Sequence, residues 1–124
     1  MPDKNMQQPR KFESPKWMDE FKGIVTVCDL QGTIIYLNDR SIENFRKDGG
    51  KDLIGKNLFD CHPEPAGRKL KELMEKGESN IYYTLRNGRR RLINQMPLYE
   101  NGEYCWYCEM ILEIPEDTPT FVRG

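Results

Sequence analysis

The sequence contains one histidine, His62, among its 124 residues. It has no glycine-rich phosphate loop, and no serine or cysteine lies in a recognisable nucleophile motif. Aspartate and glutamate are plentiful, but nothing in the pattern singles out a pair for acid–base chemistry. The sequence therefore assigns no catalytic residue, and we predict a domain with no catalysis of its own.

Long apolar runs and a large net charge are also absent. No segment approaches the roughly 20 apolar residues of a membrane-spanning helix, and residues 1–16 are polar where a signal peptide has an apolar core. The formal net charge of −1 indicates no strong polyelectrolyte partner. We predict a cytoplasmic protein with reduced cysteines and with neither a nucleic-acid nor a membrane partner.

The length and the 37% hydrophobic content suit a single globular domain. Residues 1–13 are predicted to form a disordered tail because they contain little to bury. Ser14 and Pro15 resemble a cap and a first helical position, which predicts a flanking helix over residues 14–22. Residues 23–115 then form the folded domain, and residues 116–124 a C-terminal tail.

The folded part opens with two runs rich in β-branched residues, 24–28 and 33–37, on either side of the turn sequence Asp-Leu-Gln-Gly at 29–32. This pattern predicts a β-hairpin. Asn38 and Ser41 are suitable caps for a short helix that carries Ile42 and Phe45 inward, and the Gly-Gly pair at 49–50 should end it. Apolar residues at helical spacing predict a longer helix from Pro65 to about Lys76, which Gly77 ends.

Beyond Asn80 the period of the sequence changes to that of strands. Runs at 81–85, 91–98 and 103–114 are separated by Asn-Gly pairs at 87–88 and 101–102. Asn-Gly is a strong hairpin signal because both residues accept positive φ. The chain is therefore predicted to form five strands interrupted by a helical segment.

This order of elements resembles the PAS domain, a small sensor module, over residues 23–115. Residues 50–57 (Gly-Lys-Asp-Leu-Ile-Gly-Lys-Asn) are similar to the middle segment of that family, and residues 99–103 (Tyr-Glu-Asn-Gly-Glu) to the turn between its last two strands. The resemblance implies an α+β fold: a five-stranded antiparallel sheet with helices on one face and an N-terminal flanking helix. It also implies a sensor for signal transduction that binds a small molecule or a protein partner.

Strand parity, combined with this resemblance, predicts which side chains face a ligand. The predicted ligand-binding residues are Thr26, Cys28, Phe45, Leu58, His62, Ile93, Gln95, Tyr107, Glu109 and Ile111. A buried Glu109 requires a partner, which we expect to be Arg91, His62 or a polar ligand. Trp17, Met18 and Phe21 share one side of the flanking helix and are predicted to form a homodimer interface; the alternative is that this helix packs on its own domain.

Two other functions remain open, a structural homodimerisation module with a closed core and a small haem or redox protein. His62 can cap the main helix, line the pocket or ligate haem, although haem-binding relatives usually carry the proximal histidine within the helix that here spans 66–76. A flavin photosensor is not indicated, because Leu58 follows Gly-Lys-Asn at 55–57 where those relatives have a reactive cysteine. The cofactor is left unknown.

Cys105 and Cys108 are three residues apart in a predicted strand, so their side chains are expected on opposite faces and no metal site is predicted. Arg86, Arg89 and Arg90 surround a turn and are interpreted as solvated, with Arg91 the one that can point inward.

Overall fold

In a computed structural model, which describes residues 10–60 and 64–124, the chain forms a five-stranded antiparallel sheet with helices against one face. The strands are β1 (Ile24–Asp29), β2 (Ile34–Leu37), β3 (Asn80–Arg86), β4 (Arg89–Glu100) and β5 (Glu103–Ile114). Their order across the sheet is β2-β1-β5-β4-β3. The predicted α+β fold is confirmed.

Three α-helices and three 3-10 turns complete the described part of the chain. The α-helices are α1 (Lys16–Asp19), α2 (Asp39–Asn44) and α3 (Ala66–Lys76), and the 3-10 turns span Arg46–Asp48, Gly50–Leu53 and Leu58–Asp60. The helix α3 ends as predicted, because Gly77 adopts φ 66° and the Glu78 N–H donates to the Leu73 carbonyl. No helix in the described ranges is long and apolar enough to span a bilayer.

Two Asn-Gly turns join the last three strands. Asn87 and Asn101 both have φ 52°, which brings β3 onto β4 and β4 onto β5 in register. The first hairpin turns at Asp29, whose Oδ1 accepts hydrogen bonds from the backbone N–H groups of Gln31 and Thr33. The sequence predicted all three hairpins at these positions.

The N-terminal segment differs from its prediction. The helix α1 has four residues rather than nine, and Pro15 occupies the N-cap position, with no side-chain cap from Ser14. Residues 10–13 were predicted to be a disordered tail, whereas the Phe12 ring lies 5.4 Å from Trp106 and 5.5 Å from Tyr36. Because these rings exclude water from the sheet, packing orders a segment whose composition alone does not favour order. Residues 1–9 lie outside the described ranges.

The sheet buries apolar side chains on both faces. The inner face packs on α3 and the 3-10 turns through one cluster: Cys28, Ile34, Leu37, Leu53, Leu58, Leu70, Leu73, Met74 and Tyr107. The outer face holds a second cluster of Val25, Val27, Trp106 and Cys108, against which Phe12, Met18 and Phe21 pack. The N-terminal segment therefore serves as the cover of the outer face.

Asn38 connects the covering segment to the first hairpin. Its side chain is fully buried, and Oδ1 accepts from the backbone N–H groups of Val25 and Ser41, each at 3.0 Å. Its Nδ2 donates to the carbonyls of Gly23 at 2.9 Å and Met18 at 3.2 Å. One amide thus caps α2 and joins α1 to β1.

A bulge in β5 changes the expected positions of two cysteines. Tyr99 pairs with Tyr104 and Leu98 with Trp106, so Cys105 is an extra residue. Cys105 and Cys108 consequently both pack with the outer-face cluster, and the expectation that they point to opposite faces is wrong. Both are free thiols, and the described residues contain no group of three or more potential metal ligands.

Candidate functional site

A cavity of about 330 Å³ lies between the inner face of the sheet and the helical segment. This volume is at the lower end of the range for small-molecule sites. Its lining is mostly apolar with a few polar groups: Thr26, Cys28, Ile34, Leu37, Phe45, Asp48, Leu53, Leu58, Leu70, Gln95, Tyr107 and Glu109. Asp48 is exposed and therefore marks the point where the cavity meets solvent.

The sheet contributes two rows of side chains to this cavity. In one row Glu109 on β5 pairs with Thr26 on β1 and with Gln95 on β4. In the next row Tyr107 pairs with Cys28. Because paired residues in neighbouring strands share a face, strand register alone places these five side chains on one wall.

Most of the residues predicted to face a ligand lie together at this cavity: Thr26, Cys28, Phe45, Leu58, Gln95, Tyr107 and Glu109. Ile93 and Ile111 do not line it. They form a separate buried cluster with Ile24, one row further along the sheet. Parity assigned their face correctly, but it does not define where along a strand the cavity ends. His62 lies outside the described residues.

Five lining residues were missed by the sequence prediction: Ile34, Leu37, Asp48, Leu53 and Leu70. Ile34 and Leu37 are three apart, yet both face inward because the β1–β2 register shifts between Val27 and Cys28. Counting every second residue cannot find such a pair. The helical spacing of Leu70 was a usable signal, since it already indicated an inward-facing side chain.

Glu109 is held by Gln95 rather than by a cation. Gln95 Nε2 donates to Glu109 Oε2 at 2.9 Å. The expected pairing with Arg91 is wrong, because Arg91 donates to Asn44 Oδ1 at 3.2 Å and lies 3.8 Å from Glu113. Arg91 therefore lies near the start of β4 and the end of β5, with Ile93 and Ile111 between it and the cavity.

The Cys28 thiol is unsuited to nucleophilic chemistry. Burial, followed by the charges of Asp29, Cys108 and Glu109, raises its pKa from 9.0 to about 12. Burial likewise raises the pKa of Tyr107 from 10.0 to about 12, and its hydroxyl donates to the Glu78 carbonyl at 2.7 Å. Both groups are neutral near pH 7, so they contribute shape and polarity to the wall.

Thr26 connects the cavity wall to helix α2. Its hydroxyl oxygen lies 2.6 Å from that of Ser41, which is fully buried and whose backbone N–H donates to Asn38. The hydrogen bonds thus run without interruption from the cavity wall to the carbonyl of Met18 in α1.

The three predicted dimer residues have different environments. Met18 and Phe21 pack on the outer face of their own sheet. Trp17 remains 63% exposed, with its ring 6.0 Å from that of Phe21. The structure therefore brings Met18 and Phe21 into the fold and leaves Trp17 on the surface.

Several solved structures share this fold at low sequence identity. A sensory box sensor histidine kinase from Vibrio cholerae is 14% identical with a TM-score of 0.59, and the match covers 80% of this chain and 86% of that one. The PAS domain of BvgS from Bordetella pertussis is 17% identical with a TM-score of 0.60, covering 82% and 84% of the two chains. The Aer2 receptor from Vibrio cholerae, a PAS-haem oxygen sensor, is 16% identical with a TM-score of 0.56, covering 76% and 96%.

No curated protein matches the sequence significantly. A family profile does, since the profile described as "PAS domain" matches residues 22–121 and so extends from the end of the flanking segment into the C-terminal tail. The match agrees with the strand order, the capped helix after the first hairpin and the internal cavity. This chain therefore belongs to the PAS domain family.

Proposed function

We propose that this chain is a sensory domain that binds a small molecule in the cavity between the sheet and the helices, without converting it chemically. The cavity itself carries the proposal. Protein interiors are normally packed to the density of organic crystals, so a mostly apolar space of about 330 Å³ that meets solvent beside Asp48 leaves its lining side chains short of packing contacts. A ligand that fills such a space would restore the lost contacts, and its binding would stabilise the folded state.

The test uses a substitution that fills the cavity. Thr26→Trp should place an indole in the space and abolish the rise in melting temperature that a small neutral aromatic alcohol, 2-phenylethanol, produces with the wild-type domain. Thr26→Val is the matched control, because it removes the same hydroxyl from Ser41 without adding bulk. Native mass spectrometry and an absorption spectrum of freshly purified protein add a search for a molecule that copurifies, including haem.

The competing function is a structural homodimerisation module with a closed core. If 2-phenylethanol fails to shift the wild-type melting temperature and Thr26→Trp unfolds the domain by overpacking, the core is closed and this second function gains. The support for a homodimerisation module lies outside the cavity. Apolar side chains are exposed on β3, where Leu85 is 71% exposed.

We also propose that the domain forms a homodimer through the exposed side of α1, above the outer face of the sheet that α1 and Phe12 cover. A substitution at Trp17 can test the dimer contact without removing the packing of α1 on the sheet, because Trp17 is exposed whereas Met18 and Phe21 pack internally. Trp17→Ala should lower the dimer fraction measured by light scattering and lower the melting temperature of the monomer only slightly, because within the fold Trp17 makes an edge contact with Phe21. Phe121→Ala, which removes an exposed ring from the C-terminal tail, is the control. An unchanged mass for Trp17→Ala would place the dimer contact elsewhere.

The cytoplasmic location stays a prediction from the sequence.

A further inference from the structure

The polar end of the cavity has a defined hydrogen-bond direction. A carboxylate can only accept, so the atom of Gln95 that faces Glu109 must be the amide nitrogen. The Gln95 oxygen then faces Asn80, whose Nδ2 donates to it at 3.2 Å. Donation therefore runs from Asn80 through Gln95 and ends at Glu109. Gln95 is only 6% exposed, which fixes this arrangement in the wall.

The charge of Glu109 has no cationic partner within the described lining. Glu109 and Asp48 are the charged lining residues, and both are acidic. Arg91, four residues from Gln95 on the same strand, is engaged by Glu113 and Asn44. The negative field of Glu109 reaches the edge strand, where burial and that charge together raise the pKa of Tyr82. A partly buried carboxylate that lacks a cation attracts one, and it repels an anion entering the same space.

Most of the remaining lining is apolar and defines the other half of a matching ligand. Aliphatic and aromatic groups from the first hairpin, the helical segment and α3 form this part: Ile34, Leu37, Phe45, Leu53, Leu58 and Leu70. A ligand in contact with these side chains needs a hydrocarbon or aromatic body, because a polar body there would lose its hydrogen bonds to water.

From this arrangement we propose that the cavity selects a small organic cation, an amine whose ammonium group donates to Glu109 and whose apolar body lies against the leucines. The inference rests on the proposed function, since it identifies the ligand class of the same cavity. Glu109 supplies the counter-charge, and Gln95 positions it by occupying Oε2. Asp48 at the mouth adds a second negative charge along the entry path.

Three probes that share a phenylethyl group and differ in charge test the proposal: phenethylamine, 2-phenylethanol and 3-phenylpropionate. Dissociation constants from calorimetry with the wild-type domain should rank the amine tightest and the carboxylate weakest. A hydrogen bond between charged groups predicts that the amine binds about ten- to a hundredfold more tightly than the alcohol.

Two variants assign the preference to a residue. Glu109→Gln keeps the shape and an acceptor for Gln95, and it should remove most of the advantage of the amine while leaving the alcohol nearly unchanged. Glu113→Gln is the matched control: it makes the same substitution on the same strand, at a carboxylate that pairs with Arg89 and does not line the cavity. It should leave the ranking of the probes intact.

The outcomes separate this inference from the proposed function. If the alcohol binds and the amine gains nothing over it, or if Glu109→Gln weakens all three probes equally, the assignment of a cationic ligand is overturned while the cavity remains a binding site. If none of the three binds to the wild-type domain, the proposed function fails and this inference fails with it.

Discussion

The two ends of the sheet differ in how they are held. At one end, β1 and β2 are covered on both faces, by α1 and Phe12 outside and by the helical segment inside. At the other end, β3 is an edge strand on which Ile81, Tyr83 and Leu85 are all exposed. The regular hydrogen bonds of a strand therefore do not show how much the strand adds to stability, whereas the contacts that cover it do.

The largest effect is expected from breaking the covered end at Asn38. Asn38→Ala leaves the N–H of Val25, the N–H of Ser41 and the Gly23 carbonyl buried without their partner. Each such group costs about 1–3 kcal/mol, so the free energy of unfolding should fall by about 4 kcal/mol or more.

Chemical denaturation checks this value, with Asn80→Ala at the edge strand as the control. Asn80 donates one half-buried hydrogen bond, and its loss should cost about 1 kcal/mol. Equal losses for the two asparagines would remove the contrast between the two ends.

A pair of leucines compares the two environments with the same chemistry. Leu73→Ala, in α3 at the inner-face cluster, should lower the free energy of unfolding by about 3 kcal/mol through lost contacts and a residual cavity. Leu85→Ala at the exposed edge should change it by about 0.5 kcal/mol or less. Urea unfolding of both variants gives the difference. A large loss for Leu85→Ala would mean that β3 is covered in solution, as it would be in a dimer.

A further effect is expected at alkaline pH, and it also acts on the covered end. Burial raises the pKa of Cys28 and of Cys108 from 9.0 to about 12. Above pH 9 the unfolded chain therefore releases thiol protons that the folded chain retains. The stability that these groups contribute is complete below pH 9 and is lost as pH rises from 9 towards 12.

Guanidinium titrations at pH 7.5, 9.5 and 10.5 measure this loss. The decline with pH should be shallower in Cys108→Ala, which removes one of the two groups, than in the wild-type domain. Identical slopes for the two proteins would contradict the assignment to the buried thiols.

The sequence predicts local conformation better than it predicts the extent of packing. Asn-Gly pairs and the Asn38 cap determine their own backbone geometry, so the hairpins and α2 follow from a few neighbouring residues. The inward faces of β1, β4 and β5 also follow from neighbouring residues, because side chains alternate between the two faces along a strand. These signals need no knowledge of distant parts of the chain.

The errors have a common physical origin in long-range contacts. The shift at Cys28 and the bulge at Cys105 each add a residue to one strand and reverse the parity beyond it. Asp48 reaches the cavity only because the 3-10 turns fold against the sheet. Similarly, Phe12 is ordered by two rings that lie 24 and 94 residues further along the chain (36 − 12 and 106 − 12).

The Asn38 side chain also determines how the folded state opens on slow timescales. The amides of Val25 and Ser41 both donate to its single Oδ1, although they belong to a strand and a helix that are 16 residues apart (41 − 25). Neither amide can be released by local fraying of its own element while the other element still holds Asn38 in place. In hydrogen–deuterium exchange the amides of Val25 and Ser41 should exchange together, with a single opening free energy. The helix α1 should open in the same step, because its Met18 carbonyl accepts a hydrogen bond from Asn38. The amides of β3 should exchange earlier and independently.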